Sequence, residues 1–355
     1  MAKDRILVSY FFGDDMIPLG ASCARAFRDL GYDVYCFNSQ VESALEKRLL
    51  RPLTRPANKL LRAAGFNNAD IAGRIPISQM NYRKTMLRKA ISEFRPRWVL
   101  IIRSHLFVDR ELVEALKRDY GVEKVFSWCV DGPADSRDIL EDAAIYDHYF
   151  CTHKHGYDPR DGKIHYLPAY GMDFSLYRNL FVNTQRIYRH EIVFVGGYNR
   201  RRQEIVGQIL HLPLDIYGKW SRKNRFNPAL KKHVKARGIW GEELVNLYNT
   251  SKIVLNITGW DPTAYSGLNL RVFDIPATGA FLVTDYSPEL EEYYRIGEEI
   301  VCFNGAGELA DKLTYFLKNE DKREAIALKG YERALKLPTI RDRMKSLIEV
   351  VTHER

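Results

Sequence analysis

The stretch GLNLRVFDIPATGAFLVTDYSPELEEYY (267–294) joins a glycine turn to a short helical pattern with a carboxylate about one turn in. Amides that open a helix have no intrahelical acceptor and sit at its positive end, so Asn269 and Leu270 could seat a diphosphate. Asp274 could accept both hydroxyls of a ribose, with Gly267 at the turn and Arg271 beside it. The plainer alternative makes Arg271 and Asp274 a solvated helical pair. Pro276 has no amide hydrogen, so this helix must be short or kinked. In EIVFVGGYNRRR (191–202) a buried-type strand runs into Gly196 and Gly197 and then three arginines. Glycines there let phosphate or sugar approach the backbone, and Arg201 or Arg202 could fork onto phosphate oxygens. Ordinary strand–turn–helix punctuation would look the same.

The first half offers polar residues at the ends of its apolar strand patterns. These are Gly13, Asp14 and Asp15, then Arg103, Ser104 and His105, then Asp131. His105 and Asp131 are catalytic candidates, able to orient an acceptor hydroxyl or stabilise charge. A core histidine and a helix N-cap are the competing readings. Asp14 with Asp15, or Asp131 with Asp135, could be imagined as metal ligands, but a strand-end turn and a loop cap fit better. His153 and His155 would bind metal only on an extended chain, and no metal is expected.

The elements that position these residues alternate. RILVSYFFGDD, ASCARAFRDLGYDVYCF, WVLIIR (98–103) and KVFSWCVD (124–131) describe β–α–β units, hence a parallel sheet working at its strand C-termini. Around 150–190 the pattern loosens into Gly, Pro, Tyr and Asp, and a second α/β series follows through LDIYGKW, SKIVLNI and AFLVTD to helical patterns over about 306–350. The expected fold class is α/β with two Rossmann-like doubly wound domains. The expected domains are 1–170 and 185–335, with 336–355 as a final helix.

A length of 355 residues suits two such cores, and 46% hydrophobic with 28% charged residues is ordinary for a globular enzyme. Five scattered cysteines without a CxxC pair fit reduced thiols. No apolar run is long enough to span a bilayer and no signal-type segment opens the chain, so a cytoplasmic location is expected. The formal charge of +9 favours anionic partners. In EKRLLRPLTRPANKLLRAAGF (46–66) leucines and arginines interleave, which suits contact with an anionic membrane or a lipid-diphosphate acceptor, although Pro52 and Pro56 argue for a solvated excursion. Residues 218–241 hold eight Lys/Arg and no acid, but lack the aromatic interleaving of a nucleic-acid module, so no nucleic-acid partner is expected.

The segment from LYNTSKIVLNI through GLNLRVFDIPATGAFLVTDYSPELEEYY to KGYERAL (247–335) resembles the C-terminal half of group 1 glycosyltransferases with the GT-B fold, and most closely their CgeB-like (spore maturation protein) branch. FVGGYNRRR, GKW (218–220) and FSWCVDGP (126–133) resemble further elements of that branch. The resemblance implies two domains facing across a cleft, 1–170 on the acceptor side and 185–335 on the donor side with 336–355 crossing back to the first, and a nucleotide-sugar co-substrate of UDP, GDP or dTDP type. It also implies no metal or other cofactor, and transfer with retention to a glycan, lipid-linked or protein acceptor. Carried over by position, Asp274 grips the ribose and Asn269 and Leu270 lie beneath the diphosphate. Arg201 or Arg202 takes the phosphate-binding role, and Gly218 and Lys219 lie at the next strand end. Arg201 would stabilise the leaving diphosphate. Two departures stand out: Asp replaces the family's usual Glu at 274, and Ser266 occupies the position of an upstream acid. The sugar contact then passes to Asp261, Tyr265 or backbone of the TGWDPTAYSG loop. Ser266 also motivates the alternative of a catalytically silent nucleotide- or sugar-binding scaffold; a nucleotide-sugar epimerase is a third reading.

Overall fold

The computed structural model describes residues 4–13, 17–64, 78–103, 107–130, 139–154, 156–158, 160, 162–168, 172–182, 184–220, 228–236 and 238–352. The first half contains β1 (Arg5–Tyr10), α1 (Leu19–Asp29), β2 (Asp33–Asn38), α2 (Arg51–Ala63), α3 (Gln79–Phe94), β3 (Trp98–Ile102), α4 (Arg110–Tyr120), β4 (Lys124–Cys129), α5 (Ile139–Ala143), β5 (His148–Cys151) and β6 (Ile164–Tyr166). After an irregular crossing follow β7 (His190–Val195), α6 (Arg200–Gly207), β8 (Leu214–Tyr217), β9 (Val234–Ala236), α7 (Gly241–Asn249) and β10 (Ser251–Asn256). The chain ends with α8 (Arg271–Ala277), β11 (Leu282–Asp285), β12 (Val301–Phe303), α9 (Ala306–Lys318), α10 (Glu320–Ala334) and α11 (Ile340–Thr352).

The strands form two six-stranded sheets, ordered β2-β1-β3-β4-β5-β6 and β12-β11-β10-β7-β8-β9, and every pairing is parallel. The second sheet has the dinucleotide-fold order, and its winding reverses between β7 and β10. The first reverses between β1 and β3, with no strand outside β2, so the two halves are not copies of one topology. β6, β9 and β12 are three residues long and carry no alternation that the sequence could show.

Each sheet is buried on both faces, which is why its strands read as continuous apolar runs. In β1, Ile6 and Val8 join one buried cluster and Leu7 joins the cluster on the other face. The first of these clusters includes Ile340, Met344, Leu347, Ile348 and Val351, so α11 crosses back to pack on the first sheet beside α1. Their spacing is the apolar stripe of one helix face. All five cysteines are free thiols. No helix among the described residues is long and apolar enough to cross a membrane.

Met344 and Leu347 are fully buried. Truncating either to alanine should destabilise the protein by about 2–5 kcal/mol, the usual cost of a buried cavity, read as a lowered urea midpoint. An unchanged midpoint would show that α11 is not docked on the first sheet.

Candidate functional site

A parallel sheet delivers its useful loops at one edge, and here the C-terminal edges of both sheets meet around one cavity of about 190 Å³. It lies beyond the point where the second sheet reverses its winding. The second half contributes Val195 at the end of β7, Arg202 on α6, Trp240, Leu244, Tyr248 and Trp260, and then Gly267 to Arg271 with Asp274. The first half contributes Ile17, Val130, Thr152 and His153, and Tyr177 comes from the crossing between the sheets.

The segment opening α8 is fixed by polar contacts to its own sheet and to the other. Asn269 Nδ2 donates to Asn256 Oδ1 at the end of β10 (3.1 Å), and Asn269 Oδ1 accepts from the Arg271 amide (3.0 Å). Its side chain is therefore used in holding the turn. Gly267 stands at φ 107°, and its amide donates to the buried Glu289 carboxylate (2.6 Å). The amides of Leu268, Asn269 and Leu270 have no acceptor among the described residues. Three consecutive free N–H groups at the lip of a cavity form a ready anion seat. Pro276 leaves the Val272 carbonyl without its helical amide, and the Tyr294 hydroxyl donates to that carbonyl instead (2.9 Å).

Asp274 is 6% exposed on the cavity wall. Burial holds its carboxyl well above the usual carboxylate range; Arg271 and a hydrogen bond from Tyr177 pull it down, and Asp173 pushes it up. Tyr177 and Tyr248 are both raised by burial and by Asp274, while Arg271 opposes the rise at both. A solvated Arg271–Asp274 pair is thus not what the fold builds, because the carboxyl is enclosed.

The two arginines after the Gly-Gly turn separate. Arg202 reaches the cavity wall, steadied by bonds to the Ile257 (2.9 Å) and Gly197 (3.2 Å) carbonyls. Arg201 does not line the cavity: its guanidinium pairs with buried Asp285 at 2.7 Å and donates to the Thr258 carbonyl at 3.1 Å. Gly196 and Gly218 serve packing, since a Cβ on Gly218 would lie 2.1 Å from the Gly196 carbonyl oxygen. Space is open beside Gly197. Lys219 is exposed, Tyr265 is 38% exposed, and neither lines the cavity. Asp261 is turned onto its own loop, accepting from the Thr263 amide and hydroxyl. Gly13 lies exposed beyond β1. Asp14, Asp15, His105 and Asp131 lie outside the described residues, as does His155. Among the described residues no group of three His, Cys, Asp or Glu is placed to hold a metal ion.

Sequence reasoning passed over Tyr177, Trp240, Trp260, Thr152 and the cavity role of His153. His153 follows β5, whose four residues gave too short an apolar pattern to mark a strand end. Trp240 had a usable signal, a glycine-flanked aromatic immediately before an acidic helix start in GIWGEEL.

Residues 200–349 match the model of a glycosyl transferase-like family, so this portion of the chain is glycosyl transferase-like in sequence. No curated protein matches the chain. The whole fold is similar to sucrose-phosphate synthase from Thermosynechococcus elongatus (14% identity, 98% of this chain and 99% of that one, TM-score 0.65). It is also similar to Anabaena HepE in complex with UDP-glucose (10% identity, 98% and 99%, TM-score 0.64) and to a glycosyltransferase from Rickettsia africae (12% identity, 100% of both chains, TM-score 0.62). The chain has the two-domain α/β architecture of these GT-B proteins.

The raised carboxyl of Asp274 makes stability depend on pH. Its native pKa exceeds its unfolded value, so the stability contributed by the neutral buried group is complete below about pH 4 and is lost as pH rises through the native value. Asp274→Asn removes that titration. The melting temperature of the parent relative to this variant should therefore fall as pH rises above about 4. A pH-independent difference would mean that burial does not govern this carboxyl.

Proposed function

We propose that this protein transfers a sugar from a nucleotide-sugar donor, holding the nucleotide on the second-sheet side of the cavity and receiving the acceptor from the first-sheet side. The carrying observation is the enclosed Asp274 carboxyl beside three free amides in one cavity. A carboxyl suits a vicinal diol, adjacent amides suit a diphosphate, and few ligands other than a nucleoside diphosphate present both. Trp240, Leu244, Tyr248 and Trp260 offer flat and apolar surface for a base. The glycosyl transferase-like second half and the likeness of the fold to a UDP-glucose-bound protein support this reading.

In the transfer step the glycosidic bond to the diphosphate breaks as the acceptor hydroxyl oxygen attacks the anomeric carbon, and the hydroxyl proton passes to the departing phosphate oxygen. Negative charge grows on the departing phosphate, where the 268–270 amides and Arg202 stabilise it without a metal. The geometry supports Arg202 for this task and gives Arg201 a supporting one through Asp285. Gly13, Asp14, Asp15, His105 and Asp131 stay with the acceptor side. A hexose donor of UDP, GDP or dTDP type, retention, a glycan, lipid-linked or protein acceptor and work at the cytoplasmic face belong to the same reading. So does placement in the CgeB-like branch, supported by FVGGYNRRR, GKW and FSWCVDGP.

One observation favours a second reading. Ser266, where the resembling family carries an acid, accepts a bond from the Lys154 amide (2.9 Å) and so serves contact between the halves. A nucleotide-binding scaffold would bind the diphosphate yet never release it from a donor, even by slow hydrolysis. An epimerase would convert the donor with no glycoside formed.

Calorimetric titration with UDP, GDP and dTDP should give one clear binder. Asp274→Ala should weaken it by roughly ten- to a hundredfold, about 1.5–3 kcal/mol, by removing the diol's partner. Arg202→Ala should lower affinity and turnover in a normally stable protein, whereas Arg201→Ala should lower the melting temperature by stranding Asp285. Parent-like affinity in Asp274→Ala would remove the donor assignment.

A further inference from the structure

We infer that α2 is an in-plane anchor that seats the strand-end edge of the first sheet on an anionic lipid bilayer. The sequence made a helix here doubtful because of its prolines, yet a π-helical turn over Glu46–Leu50 runs into a helix from Arg51 to Ala63 that passes through Pro56. Pro52 lies where the π-turn gives way to the α-helix and the hydrogen-bond register changes, and Pro56 forfeits only the bond to the Pro52 carbonyl. This helix has no core to join. Among the described side chains from 44 to 64 none belongs to any of the four buried clusters, and Leu49, Leu53 and Leu60 are 54%, 75% and 72% exposed.

The exposure is patterned. At about 100° per residue, Leu53, Pro56 and Leu60 fall within about 60° of one another, while Arg55 and Lys59 fall on another side. From Lys47 to Ala69 the sequence has six Lys/Arg and no Asp or Glu. Of these, Lys47 is matched by Glu42 (2.6 Å), and Arg48, Arg55 and Lys59 are exposed. An apolar stripe flanked by the exposed cations Arg48, Arg55 and Lys59 is complementary to an interface that is apolar within and negatively charged at its surface.

The placement gives the docking a purpose. β2 ends at Asn38, which is tied to the end of β1 by the Ser39 amide to the Tyr10 carbonyl (2.9 Å) and the Phe12 amide to Asn38 Oδ1 (3.5 Å). The chain therefore leaves for α2 from the edge that also supplies Ile17, Val130, Thr152 and His153 to the cavity. A bilayer beneath α2 lies on the acceptor side, so within the proposed function the acceptor is carried on lipid. The docking itself needs no donor and is measured without one.

The test is sedimentation of the full chain with vesicles of phosphatidylcholine alone or with about 30% phosphatidylglycerol, at low and high salt. The parent should sediment with the anionic vesicles and be released by salt. Leu53→Glu with Leu60→Glu, and separately Arg55→Glu with Lys59→Glu, should cut the bound fraction about tenfold or more. Circular dichroism and nucleotide titration of the leucine pair should match the parent, since both side chains point away from every core. Parent-like vesicle binding by the leucine pair would overturn the inference. So would equal binding to neutral vesicles, or a parent dimer that the leucine pair converts to monomer without lipid.

Discussion

The site depends on one residue having no side chain. Gly267 stands at φ 107°, with His153 of the first half packed where a Cβ would come within 3.2 Å of its own Cβ. Any other residue would have to shift one sheet edge against the other and leave the preferred backbone regions as well. The contact is held by polar bonds on both sides: Glu289 accepts from the Gly267 amide and from the Tyr166 hydroxyl of β6, and Lys154 reaches Ser266 through its amide and Glu292 through its ammonium (3.0 Å). These bonds set where residues 268–270 begin and hence where their unpaired amides are presented.

Two aspartates near the cavity show how surroundings divide one side-chain type between support and chemistry. Asp285 is 3% exposed, yet it accepts from the Thr258 amide (3.0 Å), the Thr258 hydroxyl (2.5 Å) and Arg201 (2.7 Å). Its charge is answered within the fold, and it fixes the turn leaving β10. Asp274 is as deeply enclosed but has a smaller answer: Arg271 and Tyr177 work against burial, and Asp173 works with it. A carboxyl left short of partners on a cavity wall has more to gain from an incoming pair of hydroxyls than one already saturated. The same contrast divides Arg201 from Arg202. The first is bound to a buried acid away from the cavity, while the second is steadied by two carbonyls on the cavity wall.

What could be read from the sequence follows from length and periodicity. The long apolar runs of β1, β3, β4, β7 and β10, each followed or preceded by a helical stripe, announce two parallel sheets. Of the short strands, β8 and β11 are legible in LDIYGKW and AFLVTD, whereas β5, β6, β9 and β12 leave no such mark, because neighbours on the sheet, not their own pattern, make them strands. That is why His153, just beyond β5, was weighed only as a metal ligand. The order of the first sheet was equally hidden, since nothing in an α/β alternation says on which side of β1 the later strands are laid. At the site, glycines and the carboxylate of 267–274 were legible through helix-start chemistry. The division of labour between Arg201 and Arg202 was not, for it depends on Asp285 at 84 residues' remove. Tyr177 lies in an irregular crossing where no period exists to read.

The cleft is kept by the chain passing between its halves twice and pairing with itself as it does so. The Met172 amide donates to the Pro338 carbonyl (3.0 Å), the Ile340 amide donates to the Met172 carbonyl (3.2 Å), and Met172 and Thr339 form a parallel bridge. A single linker would let the halves swivel; two strands bonded to each other at one point leave mainly a rotation through that point. Tyr177 lies five residues beyond this joint on the outward strand, and its hydroxyl bonds Asp274. α11 begins immediately after it on the return strand and buries its apolar stripe against the first sheet. Met172 at the joint and Tyr177 beyond it are buried in the same cluster as Tyr248, Phe273 and Ile275 around the site, so one core of the second half braces the joint and the carboxyl together, while α11 carries the first sheet from the other side of the joint.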